Sequence, residues 1–221
     1  MKKEILIELI NLLDQFSSEK QGNEDYSISD FVGFLNSKIG SQDVAMRKIE
    51  GNAEPGLKIL RTDSNTDTSI LITLMFRYAK GYVKKALQNS PIQTADEFAF
   101  LITLMTYESL TKTELINKQI MEKSSGVEVI KRLISMQMIE EFADELDRRS
   151  VRVRITPTGR QTIITVLPEM AKVSKVVVGN LTQPEVNTLT YLLKKLDYYH
   201  NDIFLNKRNL GLDELLENAD V

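Results

Sequence analysis

The 221-residue sequence contains no cysteine and a single histidine, His200. Without thiols the chain can form no disulfide, use no thiolate nucleophile and sense no redox change through cysteine. A zinc site of cysteine and histidine ligands is not expected, and we predict His200 at the surface or at a subunit interface. There is no Ser-His-Asp set, phosphate-binding loop or metal cluster, so the sequence predicts no catalytic residue, no metal and no cofactor.

Long apolar runs and an excess of basic residues are also missing. The most apolar stretch, 70–76, is far shorter than the ~20 residues of a membrane span. Glu4 and Glu8 interrupt the apolar N-terminal segment, which argues against a signal peptide. The formal net charge is −3, so any contact with nucleic acid must come from a local basic patch. We expect a soluble cytoplasmic protein that makes no membrane contact.

Apolar residues at helical spacing predict a mostly α-helical chain with enough hydrophobic residues, 42%, to bury a core. Thr94 and Thr111 each begin a capping box, since a glutamate follows three residues later in both cases. Most of region 41–68 is expected to be irregular, with one helical turn near 44–49. The polar tail after Lys207 is expected to fray, or to dock a last helical turn through Leu212, Leu215 and Leu216. Helices are predicted at 5–16, from Ser27 or Ser29 to Gly40, and at 68–88, 94–107, 111–119, 123–136, 157–178 and 183–204.

Between the sixth predicted helix, 123–136, and the last two helices the period of the sequence changes from helical to two. Segment 151–155 alternates valine and isoleucine with arginine, and segment 139–143 is its predicted partner strand. Thr156 and Pro157 then start a new helix. Two short helices followed by a basic hairpin predict a winged helix-turn-helix, in which the second helix enters the major groove of DNA and the wing contacts phosphates or the minor groove.

The expected DNA contacts lie at the start of the first short helix, on the exposed face of the second and on the wing: Thr111, Lys112, Lys123, Ser124, Ser125, Glu128, Lys131, Arg132, Arg148, Arg149 and Arg152. The second helix should bury Val127, Ile130, Leu133 and Ile134. The alternative interpretation is that these polar side chains form solvated faces and that the serines cap the helix. Gly126 is predicted either to let the backbone approach DNA or to relieve packing against the preceding helix.

Segment 147–159 resembles the wing of the MarR family of bacterial transcription regulators. It has an Asp-x-Arg at the tip (Asp147, Arg149), an alternating strand, and Thr-x-x-Gly (Thr156, Gly159). The resemblance covers about 68–204 and departs from the family pattern at Gln137, where glycine is common. It implies a homodimer whose first and last family helices form the base. It also implies a small-molecule effector bound between base and DNA-binding module.

That resemblance places Phe76, Tyr78, Phe100 and Tyr107 on the two helices that wall the family's ligand pocket, although aromatic residues at helical spacing are more often core. The predicted organisation is an N-terminal helical extension at 1–65, dimerisation regions at 66–110 and 157–206, the winged module at 111–156, and a tail at 207–221.

We interpret the chain as a ligand-responsive repressor that binds a pseudo-palindromic operator as a homodimer, with half-sites about one helical turn (~10 bp) apart. The N-terminal extension is expected to pack on the dimer base. The alternative is a winged-helix protein-interaction module without DNA binding, which the acidic total charge and the adjacent Glu140 and Glu141 favour.

Overall fold

The computed structural model describes residues 2–19, 27–43, 64–144 and 150–217. The chain divides into two compact units, Met1–Ile59 and Leu60–Val221. The first unit contains helices α1 (Lys2–Glu19) and α2 (Ile28–Asp43). The ring of the buried Phe16 lies 5.4 Å from that of Phe31 and 5.3 Å from that of Phe34.

Helix α2 continues through Gly40 to Asp43, so the predicted end at Gly40 was wrong. An interior glycine disfavours a helix by only about 1 kcal/mol, which is too little to end one by itself. The helical turn predicted near 44–49 lies outside the described residues.

The second unit is mostly helical with a small β-sheet, which confirms the predicted fold class. Its elements follow in chain order: helices α3 (Ser64–Ala86) and α4 (Ala95–Thr106), strand β1 (Leu110–Thr111), helices α5 (Lys112–Lys118) and α6 (Lys123–Ser135), strands β2 (Ile139–Ala143) and β3 (Val151–Ile155), and helices α7 (Pro157–Val178), α8 (Gln183–Asn206) and α9 (Leu212–Glu217).

Two helix boundaries differ from the sequence analysis. Helix α3 begins at Ser64 and not at Thr68. The hydroxyl groups of its first turns are accommodated because they donate to backbone carbonyls four residues earlier, as Thr68 Oγ1 does to the Ser64 carbonyl at 2.7 Å. The tail after Lys207 forms helix α9, in which Leu215 is half-buried while Leu212 and Leu216 stay exposed.

The hydrophobic core of the second unit lies inside the winged-helix region. Helix α4 supplies Phe100, Leu101 and Leu104, which are almost completely buried. The core thus includes α4, which the predicted boundaries grouped with the dimerisation region. The other buried members come from the α3–α4 loop, the helix-turn-helix, the sheet and the first half of α7: Leu87, Ile92, Leu110, Leu115, Ile116, Val129, Ile130, Leu133, Met138, Ile139, Val153, Ile155, Ile163 and Val166.

The sheet has three antiparallel strands in the order β1-β3-β2. Strands β2 and β3 have the predicted bounds and pair with Ile139 opposite Ile155. The two-residue strand β1 was not predicted, because two residues are too few to show a period. Val153 and Ile155 face the core, but Val151 is 41% exposed, so the predicted buried face is shorter than expected.

Backbone contacts join the end of α6, the start of β2 and the start of α7. Gln137 has a φ of 57° and closes α6, with its N–H donating to the Ile134 carbonyl at 2.8 Å. Thr156 Oγ1 donates to the Gln137 carbonyl at 2.7 Å and accepts from the Gly159 N–H at 3.1 Å. A Cβ on Gly159 would lie 2.2 Å from the Met138 carbonyl oxygen. The Thr-x-x-Gly motif is therefore the joint that fixes α7 against the wing sheet.

Candidate nucleic-acid interface

The two helices of the helix-turn-helix begin in different ways. Helix α5 has a complete capping box, in which the Glu114 N–H donates to Thr111 Oγ1 at 3.2 Å and the Thr111 N–H donates to Glu114 Oε2 at 2.7 Å. This reciprocal bonding holds the pKa of Glu114 below its usual value. Thr111, predicted as a DNA contact, is half-buried and occupied in this cap. Its position indicates a structural role.

Helix α6 has an open N-terminus by comparison. Its N-cap residue Glu122 makes no side-chain cap hydrogen bond, and its first turn contains no acidic residue. Lys123, Ser124 and Ser125 are exposed in that turn. The prediction that the serines cap the helix was wrong, because the cap position lies before them. Backbone N–H groups and the positive end of the helix dipole at this end suit an anion such as phosphate.

The body of α6 separates a buried face from an exposed one. Val129, Ile130 and Leu133 are buried, whereas the predicted Val127 and Ile134 are only partly buried. Gly126 is buried as well, and a Cβ there would lie 2.5 Å from Ile116 Cγ1 of α5. Of the two predicted explanations for this glycine, the structure supports close packing of α6 on the preceding helix.

Exposed charges on α6 form an internal pair. Lys131 Nζ lies 2.8 Å from Glu128 Oε1, and this hydrogen bond lowers the pKa of Glu128. Both side chains are largely exposed. A pair of this kind contributes little to stability and can exchange partners readily, so both residues are accessible to a ligand of the helix.

The acidic residues of β2 pair with basic neighbours. Glu141 Oε1 lies 2.6 Å from Lys112 Nζ, and Glu140 Oε1 lies 2.6 Å from Arg154 Nε. The guanidinium of Arg154 also sits 4.9 Å from the ring centre of Phe142. The negative charge of β2 is therefore largely balanced within the sheet.

Arg152 fastens the base of the wing to the rest of the module. Its Nε donates to Ser109 Oγ and its Nη2 to the Ser109 carbonyl, both at 2.9 Å, and its Nη1 donates to Asp144 Oδ2 at 3.0 Å. Its side chain is 27% exposed. This geometry argues against the predicted DNA contact and assigns Arg152 a structural part, which an alternating pattern alone could not reveal.

The tip of the wing, residues 145–149, lies outside the described residues, and with it the predicted contacts Arg148 and Arg149 and the pairing of Asp147 with Arg149. The residues on either side are close together, since the Asp144 N–H donates to the Ser150 carbonyl at 3.0 Å. The two strands of the wing are therefore still hydrogen-bonded to each other at Asp144 and Ser150.

Arg132 is linked to a buried carboxylate. Its Nε donates to Glu97 Oε1 at 3.0 Å, and Glu97 is 5% exposed. The other oxygen of Glu97 accepts from the backbone N–H groups of Gln93 at 2.8 Å and Thr94 at 3.2 Å. Burial raises the pKa of Glu97, but these hydrogen bonds outweigh it and leave the pKa below its usual value. The capping box could be predicted from sequence; the link to Arg132 could not.

A cleft of ≈ 720 Å³ lies between the α3–α4 connection and the first half of α7. Its lining residues include one lysine, several hydroxyl and amide groups and one carboxylate, although apolar atoms make up the larger part of its surface: Lys85, Ala86, Gln88, Asn89, Ser90, Pro91, Pro157, Thr158, Gln161, Thr162, Thr165, Val166 and Glu169.

The four residues predicted to wall a ligand pocket do not line this cleft. Phe100 is fully buried in the core, and Phe76 is 64% exposed. Tyr78 borders a separate depression of ≈ 210 Å³. Lys118 Nζ lies over the ring of Tyr107, 4.3 Å from the ring centre. The assignment of these four residues to a ligand pocket stays a prediction, and helical spacing alone does not show which face of a helix meets a cavity.

Across residues 2–19, 27–43, 64–144 and 150–217, no cluster of three or more acidic or histidine side chains could hold a metal ion. Among the helices so described, none combines the length and the apolar character that crossing a membrane requires.

Comparison with known proteins agrees with this geometry. The model of a family described as a winged helix DNA-binding domain matches residues 94–159. The repressor NicR of Pseudomonas putida is 26% identical over 106 residues, which are 48% of this chain and 67% of NicR. A mutant MarR from E. coli complexed with operator DNA superposes with a TM-score of 0.58 at 23% identity, over 65% of this chain and 99% of MarR.

Residues 94–159 form a winged-helix DNA-binding domain. The chain is similar to MarR-like transcriptional regulators. BpsR of Bordetella bronchiseptica also superposes on the chain, with a TM-score of 0.56 at 22% identity, over 59% of this chain and 98% of BpsR. The DNA binding of BpsR is regulated by 6-hydroxynicotinic acid. In this winged-helix fold α6 occupies the position of the recognition helix, and β2 with β3 forms the wing.

Proposed function

We propose that this MarR-like regulator represses transcription by binding a pseudo-palindromic operator as a homodimer, and that a small effector in the cleft releases it. The observation that carries the DNA-binding geometry is the open start of α6. Lys123, Ser124 and Ser125 are exposed there, and the side chain of the N-cap residue Glu122 pairs with Arg208 and makes no cap hydrogen bond to α6. A phosphate or base edge placed there meets positive charge and hydrogen-bond donors together.

The proposed contacts fall into two groups. Lys123, Ser124, Ser125, Glu128 and Lys131 lie exposed on α6 and would meet DNA directly. Residues that the structure shows engaged within the module would position these contacts: Thr111 through its cap, Lys112 through Glu141, and Arg152 through Ser109 and Asp144. Arg148 and Arg149 remain proposed contacts of the wing tip.

A homodimer is supported by the apolar side chains that α3, α7 and α8 leave exposed. None of the described residues of α3 or α8 is buried within the chain. An isolated helix of this kind is marginal in water, so tertiary or quaternary packing must stabilise it. Exposed large hydrophobic residues include Ile70, Leu71, Ile72, Met75, Phe76, Ile164, Leu167, Leu189, Leu192, Leu193 and Leu196.

Repression and effector response are proposed from the relatives together with the cleft. NicR is a repressor, and 6-hydroxynicotinic acid regulates BpsR. A cleft of ≈ 720 Å³ lined by one lysine and many hydroxyl and amide groups suits a small polar or anionic molecule. We propose the cytoplasm as the location, since a bacterial regulator acts where the chromosome is.

The decisive experiment is a gel shift with the DNA upstream of the protein's own gene at two salt concentrations. A specific complex should form and weaken steeply as salt rises, because phosphate contacts release counterions. Lys123→Ala should weaken binding and reduce the salt slope by about one unit. Lys3→Ala, on exposed α1, is the matched control and should bind like wild type.

The wing is tested by a second pair of variants. Arg149→Ala should weaken operator binding by about 1–3 kcal/mol, and Arg154→Ala clearly less, since Arg154 is paired with Glu140 and rests on Phe142. If both variants and Lys123→Ala are folded and bind DNA like wild type, the proposed DNA contacts are wrong. If folded wild type forms no salt-sensitive complex with DNA, the protein-interaction alternative takes the place of the proposed function.

A further inference from the structure

Among the residues described, Glu97 is the charged residue with a buried side chain. Three parts of the module meet at its carboxylate. One oxygen accepts from the backbone of the α3–α4 connection at Gln93 and from the N-cap residue Thr94. The other accepts from Arg132 Nε on α6. The backbone N–H of Glu97 donates to Thr94 Oγ1 at 3.1 Å, so this cap fixes the backbone of Glu97 while the other hydrogen bonds fix its carboxylate.

The connection held by Glu97 also forms a wall of the cleft. Gln88, Asn89, Ser90 and Pro91 line the cleft, and Gln93 follows two residues after Pro91. Leu87 and Ile92 are both fully buried, so they anchor this short stretch at either end. Because only Ile92 separates Pro91 from Gln93, we expect a displacement of the cleft wall to move the backbone N–H groups of Gln93 and Thr94 as well.

Arg132 carries the path onward to the DNA-binding surface. It lies in the last turn of α6, beside the buried Leu133, while Lys123 lies at the other end. A helix of this length is a rigid rod of about 20 Å, so a shift at the Arg132 end tilts the end that carries Lys123, Ser124 and Ser125.

We propose that the Glu97 carboxylate is the positioning residue that couples the effector cleft to the recognition helix. Filling the cleft displaces residues 88–91, and the Gln93–Glu97–Arg132 hydrogen bonds transmit that displacement to α6. This inference rests on the proposed function, because it needs both DNA binding by α6 and occupancy of the cleft.

The absence of cysteine allows a test that does not require the natural effector. Thr162→Cys places a single thiol on the α7 wall of the cleft, where the native side chain is half-buried. Modification with benzyl methanethiosulfonate then puts an aromatic group into the cleft, and operator affinity is measured before and after. Ser18→Cys, exposed on α1, is the control for the reagent.

In an otherwise wild-type background, modification at position 162 should weaken operator binding by roughly 5- to 150-fold, the range typical of allosteric coupling. Combined with Glu97→Gln, the same modification should change affinity by less than about twofold. Glu97→Gln keeps an oxygen that can accept the cap hydrogen bonds but removes the charge pairing with Arg132. The ratio of affinities before and after modification is the readout, and a general loss of stability does not alter that ratio selectively.

Arg132→Gln supplies the second arm, since it breaks the same link from the other side. It should reduce the response to modification as much as Glu97→Gln does, and the double variant should reduce it no further. An equal response in the Glu97→Gln background, or an unchanged operator affinity of the otherwise wild-type Thr162→Cys protein after complete modification shown by mass spectrometry, would each overturn the coupling proposal. Failure of unmodified Thr162→Cys and of wild type to bind the operator would instead overturn the proposed function.

Discussion

Gln137 occupies a backbone conformation that suits glycine, with a φ of 57°. Non-glycine residues in this region are disfavoured by roughly 1–2 kcal/mol. The native contacts of residue 137 use only its backbone, because its N–H donates to Ile134 and its carbonyl accepts from Thr156. Gln137→Gly should therefore raise the free energy of unfolding by about 0.5–1 kcal/mol after the added flexibility of the unfolded chain is subtracted.

Chemical denaturation measures this effect, and Gln161→Gly is its matched control. Gln161 is exposed inside α7, where the same substitution should lower stability by about 0.5–1 kcal/mol. Two variants that shift the midpoint in the same direction would show that Gln137 is not strained.

Gly159 is the residue on which the joint between α7 and the wing sheet depends. A Cβ there would lie 2.2 Å from the Met138 carbonyl oxygen and 3.0 Å from Ile155 Cγ1, and the first of these is a backbone atom that cannot rotate away. Gly159→Ala should destabilise the protein by about 1–3 kcal/mol or more.

Thermal melting tests this prediction against Gly81→Ala, a control within α3. No atom lies within 4 Å of a Cβ built on Gly81, so alanine there should stabilise the helix by about 0.5–1 kcal/mol. A Gly159→Ala melt equal to wild type would mean that the joint is looser than the structure shows.

Individual residues show most clearly where sequence reasoning ends. Arg152 and Arg154 alternate with the same apolar residues, yet Arg152 is clamped by Ser109 and Asp144 while Arg154 is largely exposed. Ser109 is 43 residues away in sequence. No local pattern identifies such a partner, so the sequence predicted the strand correctly without predicting what its side chains do.

At the scale of elements, the link between α4 and α6 should make stability depend on pH. The pKa of Glu97 is lower in the folded protein than its ordinary value near 4.5. A depressed folded pKa contributes stability above the unfolded pKa, and that stability is lost as pH falls through the folded pKa. Wild type should therefore be more stable than Glu97→Gln near neutral pH, by about 1–3 kcal/mol for hydrogen bonds to a charged group.

Urea denaturation of both proteins between pH ~7 and pH ~3, the range in which such carboxyl groups titrate, tests this expectation. The difference in unfolding free energy should shrink as the pH falls below about 4.5, because wild type then loses the charge that the variant lacks throughout. A difference that stays constant across the range would mean that the charge of Glu97 does not stabilise the link.

Elements were predicted well where the signal is local. The capping boxes at Thr94 and Thr111, the strand pair at 139–143 and 151–155, and the start of α7 at Pro157 all appear in the structure as expected. Strand β1 was missed because its two residues extend only by pairing with β3. Likewise the cleft forms between segments far apart in sequence, so the spacing of aromatic residues along a helix could not predict its lining residues.

At the scale of the whole molecule, the described helices of the N-terminal unit leave most of their apolar side chains exposed. Among its described residues, Phe16 is the hydrophobic residue whose side chain is buried. Five apolar side chains of α1 are each more than 40% exposed: Ile5, Leu6, Leu9, Ile10 and Leu13. Units of this size are marginal on their own, so covering these side chains would add to the stability. We predict that this unit packs on the dimer base, so that deleting residues 1–40 lowers the melting temperature or disturbs dimerisation while leaving residues 94–159 folded.

Calorimetry and light scattering on the truncated chain measure both effects, and circular dichroism reports whether the winged module stays folded. A truncated protein with the melting temperature and oligomeric state of the full chain would show that the unit is an independent appendage.

The last prediction concerns the dimer itself. Leu189, Leu192 and Leu196 recur along one side of α8 and are 42%, 48% and 38% exposed in the single chain. An obligate interface buries upwards of ~2,000 Å², and the exposed apolar faces of α3, α7 and α8 are the surfaces from which that area can come. Leu192→Asp combined with Leu196→Asp places two charges in the centre of this face. Light scattering should then report a monomer of about 25.2 kDa, because isolated buried charges cost far more than the contacts they replace.

Lys195→Asp changes charge on the same helix at an exposed position outside this leucine stripe, and it should remain dimeric. The winged module of the double variant should keep its fold, since its core of Phe100, Leu115 and Ile130 does not involve α8. Its affinity for a two-half-site operator should nevertheless fall sharply, because only a dimer engages both half-sites at once. A wild-type chain that scatters as a monomer at micromolar concentration would contradict the dimer and the pseudo-palindromic operator together.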